Sequence, residues 1–253
     1  MTFCRPATTH NKREKPMKRT VDHEALRNFL KVRQALDENR GALPGKTLAF
    51  VTLSRQYGAG GHSVAALLEH ELNRASQAGS GWMTFDKELV KTVLEEHGLP
   101  QGAAPYIREE RISEMRDMIE EMCGLHPPAF ELVRKTSETL IHLASLGHVI
   151  LVGLGGSIVT RGLRGGLHVR LVGSIERRTA QAAAFYGITL EEAEKQRIKE
   201  DQNRRDYARQ NFDCSIDDPI NYSLVINTDE VPFADAARLI ADEVEALSAR
   251  LRA

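Results

Sequence analysis

Between Ser54 and Ser63 the chain reads Ser-Arg-Gln-Tyr-Gly-Ala-Gly-Gly-His-Ser. Gly58, Gly60 and Gly61 allow backbone N–H groups to close on an anion, and a hydroxyl at Ser63 could serve a phosphate or Mg²⁺. An apolar, β-rich run, Thr47–Leu53, enters the turn, and a helical pattern, Val64–Leu72, leaves it. That order points a helix N-terminus at whatever the glycines hold, which suits phosphate. A standard G-x-x-x-x-G-K-[ST] loop has lysine after its last glycine, and alignment on Gly60 puts Gly61 there. A dinucleotide fingerprint would need a third glycine where Ser63 stands, and tight strand–helix packing alone also uses such a turn. The loop by itself leaves these readings open.

A second group is basic. Arg177-Arg178 opens one segment, and Arg197, Asp201, Arg204, Arg205 and Arg209 crowd another. At helical spacing positions 197, 201, 204, 205 and 208 fall near one face. A solvated helix laced with ion pairs explains this pattern. So does an arginine lid that offsets the charge of a triphosphate. Asp86, after Phe85, suits a helix N-cap and could also accept a hydrogen bond from a ribose or base. His62 could touch a phosphate or simply be an exposed loop residue. His126 and His142 have no partner at ligand spacing, so no protein-built metal site is expected.

These residues need elements that bring them together. Apolar patterning predicts strands at 47–53, 82–85, 148–153, 167–172 and 223–227. It predicts helices at about 61–77, 87–97, 108–122, 130–146, 175–186, 190–210 and 233–251. Alternation of this kind implies right-handed crossovers and a parallel sheet covered by helices on both faces. The runs Val149–Val152 and Leu224–Ile226 read as strands buried on both sides. The glycine turn, Asp86, Gly153–Ser157 and Asn227–Asp229 all follow strand ends, so they share one rim, where such sheets bind ligands. Pro100–Pro128 reads as an inserted helical segment beside that rim. Val21–Asn39 has apolar residues at helical spacing, and Gly41–Gly45 is a natural linker. The expected division is 1–45, a tail and helix, and 46–253, one α/β domain.

The 253 residues carry 34 basic and 35 acidic side chains, a net charge of −1, with 42% apolar content. That balance points to neither a nucleic-acid nor a membrane partner. Cys4, Cys123 and Cys214 are too scattered for a disulfide framework or metal spacing. No apolar run is long enough to span a bilayer, and the basic Met1–Arg19 lacks the apolar core of a secretory signal. A cytoplasmic location is the expectation.

Taken in order, several segments resemble the cytidylate kinase-like family of P-loop nucleoside monophosphate kinases. They are Thr52–Gly61, Phe85–Leu89, Leu151–Gly153, Leu167–Val172, Asp201-x-x-Arg204-x-x-Tyr207-x-Arg209-x-x-Phe212 and Leu224–Thr228. The resemblance runs from about Thr47 to about Ala246. It implies a three-layer α/β fold on a five-stranded parallel sheet, with a helical lid at about 190–215. It also implies transfer of the ATP γ-phosphoryl group to a nucleoside monophosphate, CMP or dCMP foremost. By position, Gly58, Gly60, Gly61 and Ser63 would cradle the ATP phosphates, with Mg²⁺ near Ser63. Asp86, Asp201 and Arg204 would meet the acceptor; Arg197 and Arg205 would belong to the lid. Arg204 and Arg209 would act in catalysis. By our own reading of the residues, not by the resemblance, Arg55 in the glycine loop is a third catalytic candidate, the substitute for the missing lysine. Related kinases carry arginine where this chain has Leu154; Arg161 or Arg164 could replace that charge. A nucleotide-binding regulator of the same fold and a dinucleotide-binding oxidoreductase are the alternatives.

Overall fold

The computed structural model describes residues 28–29, 47–75, 81–96 and 128–252. The expected helix at 108–122, most of the insertion at 100–128 and most of the helix at 21–39 lie outside the described residues. Phe29 is described; it is helical and lies 5.8 Å, ring to ring, from Phe85.

Five strands form one parallel sheet: β1 (Phe50–Arg55), β2 (Met83–Phe85), β3 (Val149–Val152), β4 (Gly166–Val172) and β5 (Leu224–Asn227). Their order is β2-β3-β1-β4-β5, and every neighbouring pair is parallel. β1 therefore sits at the centre, and the chain order reverses across it, which opens a crevice at its C-terminal end. The helices are α1 (Gly61–Ala75), α2 (Lys87–Glu96), α3 (Pro128–Leu146), the single turn α4 (Gly156–Val159), α5 (Ile175–Tyr186), α6 (Leu190–Phe212) and α7 (Phe233–Arg252). A 3₁₀ turn covers Pro219–Asn221.

Alternate residues of the strands feed two cores, as the pleat requires. Val51, Leu53, Ile150, Val152, Val169 and Leu171 pack with Val64 and Leu68 of α1 and Ile240 and Val244 of α7. On the other face Phe50, Phe85 and Leu151 pack with Leu140 and Leu143 of α3 and with Leu154 and Tyr207. Among the described residues, no helix is long and apolar enough to cross a membrane.

Two strand expectations need correction. β1 does not end at Leu53. Its ladder to β4 continues through Ser54↔Arg170 and Arg55↔Leu171, so Arg55 is a strand residue, not a loop residue. β5 is not buried on both sides: as the last strand of the sheet it buries Ile226 but leaves Val225 46% exposed. A continuous apolar run cannot by itself distinguish a central strand from an edge strand.

Candidate active site

The glycine turn leaves the end of β1 and opens α1. Gly58 has φ +79°, and a Cβ there would lie 2.1 Å from the carbonyl oxygen of Arg178, so both backbone shape and close approach demand glycine. The first N–H groups of α1 have no partner inside the helix and open onto a cleft of about 450 Å³. That cleft is lined by Arg55 to Gly58, Gly60 to Ser63, Arg204 and, from α5, Gln181, Ala182, Phe185 and Tyr186. Phosphate held there would meet backbone N–H groups and the positive end of the helix dipole.

A second cleft of about 400 Å³ lies across β1. Thr52 and Ser54 form its floor, Gly153 and Gly155–Ile158 one wall, and Arg204, Tyr207, Ala208 and Ile216 another. Arg55 and Arg204 line both clefts, and so stand at their boundary. An Arg204 Nη1 N–H donates to the Arg55 carbonyl at 3.3 Å, and its guanidinium lies 6.0 Å from the Tyr57 ring centre. Glu200, 3.5 Å from Arg204, steadies it from one turn back on α6.

The turn is held from behind by Arg178. Its Nη1 donates to the Tyr57 carbonyl at 3.0 Å and to Asp201 Oδ2 at 2.6 Å, while its Nε donates to the Gly173 carbonyl. Asp201 Oδ1 accepts the Tyr57 N–H at 2.7 Å. Both members of the pair are buried. Sequence reasoning pointed to the Arg177-Arg178 dipeptide without separating its members. Arg178 is the buried one, whereas Arg177 is exposed and donates to the Asp229 carbonyl. Nothing local distinguishes them; only the fold brings Asp201 to one of the two.

The structure thus brings together Arg55, Gly58, Gly60, Gly61, Ser63 and Arg204. It places others differently. Asp201, expected at the acceptor, has both oxygens engaged by Tyr57 and Arg178 and lines neither cleft. Asp86 caps α2, accepting from the N–H groups of Glu88 and Leu89 at 3.1 Å. Arg209, expected in catalysis, is exposed and lines neither cleft. Arg197 is buried on the inner face of α6, and Arg205 turns outward to Asp217 at 2.8 Å. Arg161, proposed to replace the missing charge, donates to Asn221 Oδ1 at 2.6 Å at the surface and lines neither cleft. Leu154, at the expected arginine position, is 4% exposed and belongs to the same buried cluster as Tyr207, against which Phe212 also packs.

His62, at the mouth of the first cleft, is held neutral well below the usual histidine range. Loss of hydration contributes most, followed by the charge of Arg55; the Asp86 carboxylate opposes them, and Arg204 and Lys87 add to the lowering. The outer side of the residue stays open to solvent. Sequence reasoning missed the hydroxyls of Thr52 and Ser54. They alternate with core residues along β1, a period-2 signal that was present in the sequence but indistinguishable from ordinary strand polarity.

A five-stranded parallel sheet whose central strand ends in a glycine turn, with that turn opening a helix, defines a P-loop kinase type of fold. Within it the chain belongs to the cytidylate kinase-like family, which residues 50–230 match. The fold is similar to that of an uncharacterized protein from Eubacterium ventriosum, 16% identical, with a TM-score of 0.57 over 78% of this chain and 98% of that one. Shikimate kinase from Bacteroides thetaiotaomicron is 15% identical, with a TM-score of 0.40 over 81% of this chain and 96% of that one. Shikimate kinase from Acinetobacter baumannii, in complex with shikimate, is 16% identical, with a TM-score of 0.42 over 79% and 95%. Comparison with curated proteins gives no match.

Proposed function

We propose that the protein transfers the γ-phosphoryl group of ATP to a nucleoside monophosphate, CMP or dCMP foremost. The observation that carries this reading is the pair of clefts meeting at Arg55 and Arg204. ATP phosphates lie on the glycine turn, and the acceptor phosphate lies over Thr52, Ser54 and Gly153–Ile158. An acceptor phosphate oxygen attacks the γ-phosphorus as the bond to the bridging oxygen of ADP breaks, giving ADP and a nucleoside diphosphate. Such a transfer depends on positioning and on offsetting charge rather than on covalent help from the protein. Two guanidiniums at the boundary suit that demand, since each can hold phosphate oxygens bidentately.

Ser63 offers a hard oxygen in the first turn of α1, facing the cleft. With Gly61 in the lysine's place, the usual metal-ligating hydroxyl position falls on His62, so Ser63, one residue on, would supply the oxygen for Mg²⁺ carried in on the ATP phosphates. Among the described residues no cluster of three His, Cys, Asp or Glu side chains offers a metal site of its own. Bound there, Mg²⁺ would offset phosphate charge. Asp201, fixed against Tyr57 and Arg178, serves to hold the glycine turn and α6 together.

A nucleotide-binding regulator without turnover is the second reading. One observation favours it: Leu154 faces the core where related kinases have arginine. The dinucleotide reading has no comparable support beside the family match. Purified protein with Mg·ATP and each nucleoside monophosphate in turn, followed by ADP release, separates these readings. Turnover with a cytidine acceptor is expected, and Arg204→Ala should slow it ~10²–10³-fold with an unchanged unfolding midpoint. Stabilisation by ATP without turnover of any acceptor would leave the regulator. Stabilisation by NAD alone would overturn the nucleotide-kinase assignment.

A further inference from the structure

A lysine at position 61 would have to share space with a side chain already there. If a Cβ is added to Gly61, it lies 2.9 Å from Arg55 Cγ and 3.2 Å from Cδ. Carbon–carbon contacts settle at about 3.5–4.0 Å, so something must shift. Further along, a Cβ on Gly153 would lie 2.2 Å from Arg55 Nη1 and 3.1 Å from Cζ. The Arg55 side chain therefore leaves the end of β1, passes beneath the first residue of α1 and emerges against the turn after β3. Its root is held by the strand ladder to Leu171, and its carbonyl accepts from Arg204.

We infer that Arg55 and a P-loop lysine are alternative occupants of one space, and that Gly61 is glycine because Arg55 supplies the phosphate-binding cation from below. The two solutions place charge differently. A lysine on the first turn of α1 brings a flexible point charge into the first cleft alone. Arg55 brings a planar fork to the boundary of both clefts, where it can contact the transferring group and the acceptor together. The conflict at Gly61 is the decisive one, because Cγ sits near the backbone and has little freedom to yield. At Gly153 the neighbour is the tip of the side chain, and glycine is also required there by φ +79°. The inference rests on the nucleotide reading given above.

The test is a swap read by binding, so that it does not depend on knowing the acceptor. Wild type, Arg55→Ala, Gly61→Lys and the Arg55→Ala/Gly61→Lys double variant are titrated calorimetrically with Mg·ATP and with Mg·tripolyphosphate. Arg55→Ala should weaken both ligands at least tenfold. Gly61→Lys should weaken them too, because the two side chains obstruct each other. The double variant should recover at least tenfold over Arg55→Ala. Unchanged affinity in Arg55→Ala, or no recovery in the double variant, overturns the inference. If a lysine variant fails to fold, Gly61→Ala replaces it in the cycle. Gly61→Ala should then lower the unfolding midpoint beside Arg55 but not beside Ala at that position, and equal loss in both backgrounds overturns the shared-space argument. A wild type that binds both ligands but phosphorylates no acceptor refutes the kinase reading and leaves Arg55 to the binding series. A wild type that binds neither refutes both.

Discussion

Thr52 and His168 face each other across β1 and β4, with Thr52 Oγ1 2.8 Å from His168 Nδ1. The His168 ring stands edge-on to Phe50, and its pKa is lowered to about 4, first by burial and then by the charge of Arg161. Histidine titrates near 6.5 in the unfolded chain, so between about 6.5 and about 4 the unfolded state binds a proton that the folded state refuses. Stability contributed by this site is therefore present above 6.5, falls as the pH drops through that window and loses nothing more below about 4. Over the whole window the loss amounts to at most about 3 kcal/mol. Denaturant titrations from pH 7.5 to 4 should show wild type losing stability more steeply than His168→Gln. Parallel profiles would remove His168 as the origin of the slope. The hydroxyl partner lies on the floor of the second cleft, so the same substitution should disturb acceptor use more than ATP use.

At the scale of elements, α6 combines a strong start with an anchored exit. Thr189 and Glu192 form a reciprocal capping box at its N-terminus. Past its C-terminus the loop to β5 is pinned by Asp217, which accepts from Arg170 at 2.6 Å and from Arg205 at 2.8 Å. Arg170 is buried and also donates to Ser54, while Tyr222 donates to the Ile216 carbonyl. The loop thereby holds Ile216 against the second cleft. Asp217→Ala leaves the buried Arg170 without its carboxylate and should cost about 1–3 kcal/mol in urea unfolding. On the proposed kinase reading it should also raise the acceptor KM more than the ATP KM, and equal changes in both would refute the loop's role at the second cleft.

The elements themselves were largely legible because strands and helices bury apolar residues at periods that local sequence displays. β3, α5 and the start of α6 fall where periodicity puts them. The extension of β1 to Arg55 was not legible, because it depends on a ladder to β4 more than a hundred residues away. The same holds for Asp217 between two arginines and for Asp201 beneath Tyr57. Ion partners carry no local signal, so arginines read as one lid turn out to be buried, cleft-lining or outward-facing according to their angle around α6.

At the scale of the whole molecule, ligand binding and folding draw on one free energy. Saturation with Mg·ATP at a hundred times Kd should add ~2.7 kcal/mol. For a chain of this size that corresponds to a rise in unfolding midpoint of roughly 5–10 °C. Thermal melts across an ATP series check it, and EDTA should reduce the rise by removing the metal that accompanies the phosphates. An unmoved midpoint would mean that the glycine turn does not hold nucleotide. The joint of Asp201, Arg178 and Tyr57 gives this linkage a direction. One carboxylate on α6 grips the peptide N–H of the turn, and the arginine on α5 grips that same residue's carbonyl. Loop and helix therefore share a thermodynamic account that is symmetric by necessity. Whatever free energy a nucleotide gains by ordering α6 through this joint, anything that orders α6 first returns to the nucleotide as affinity.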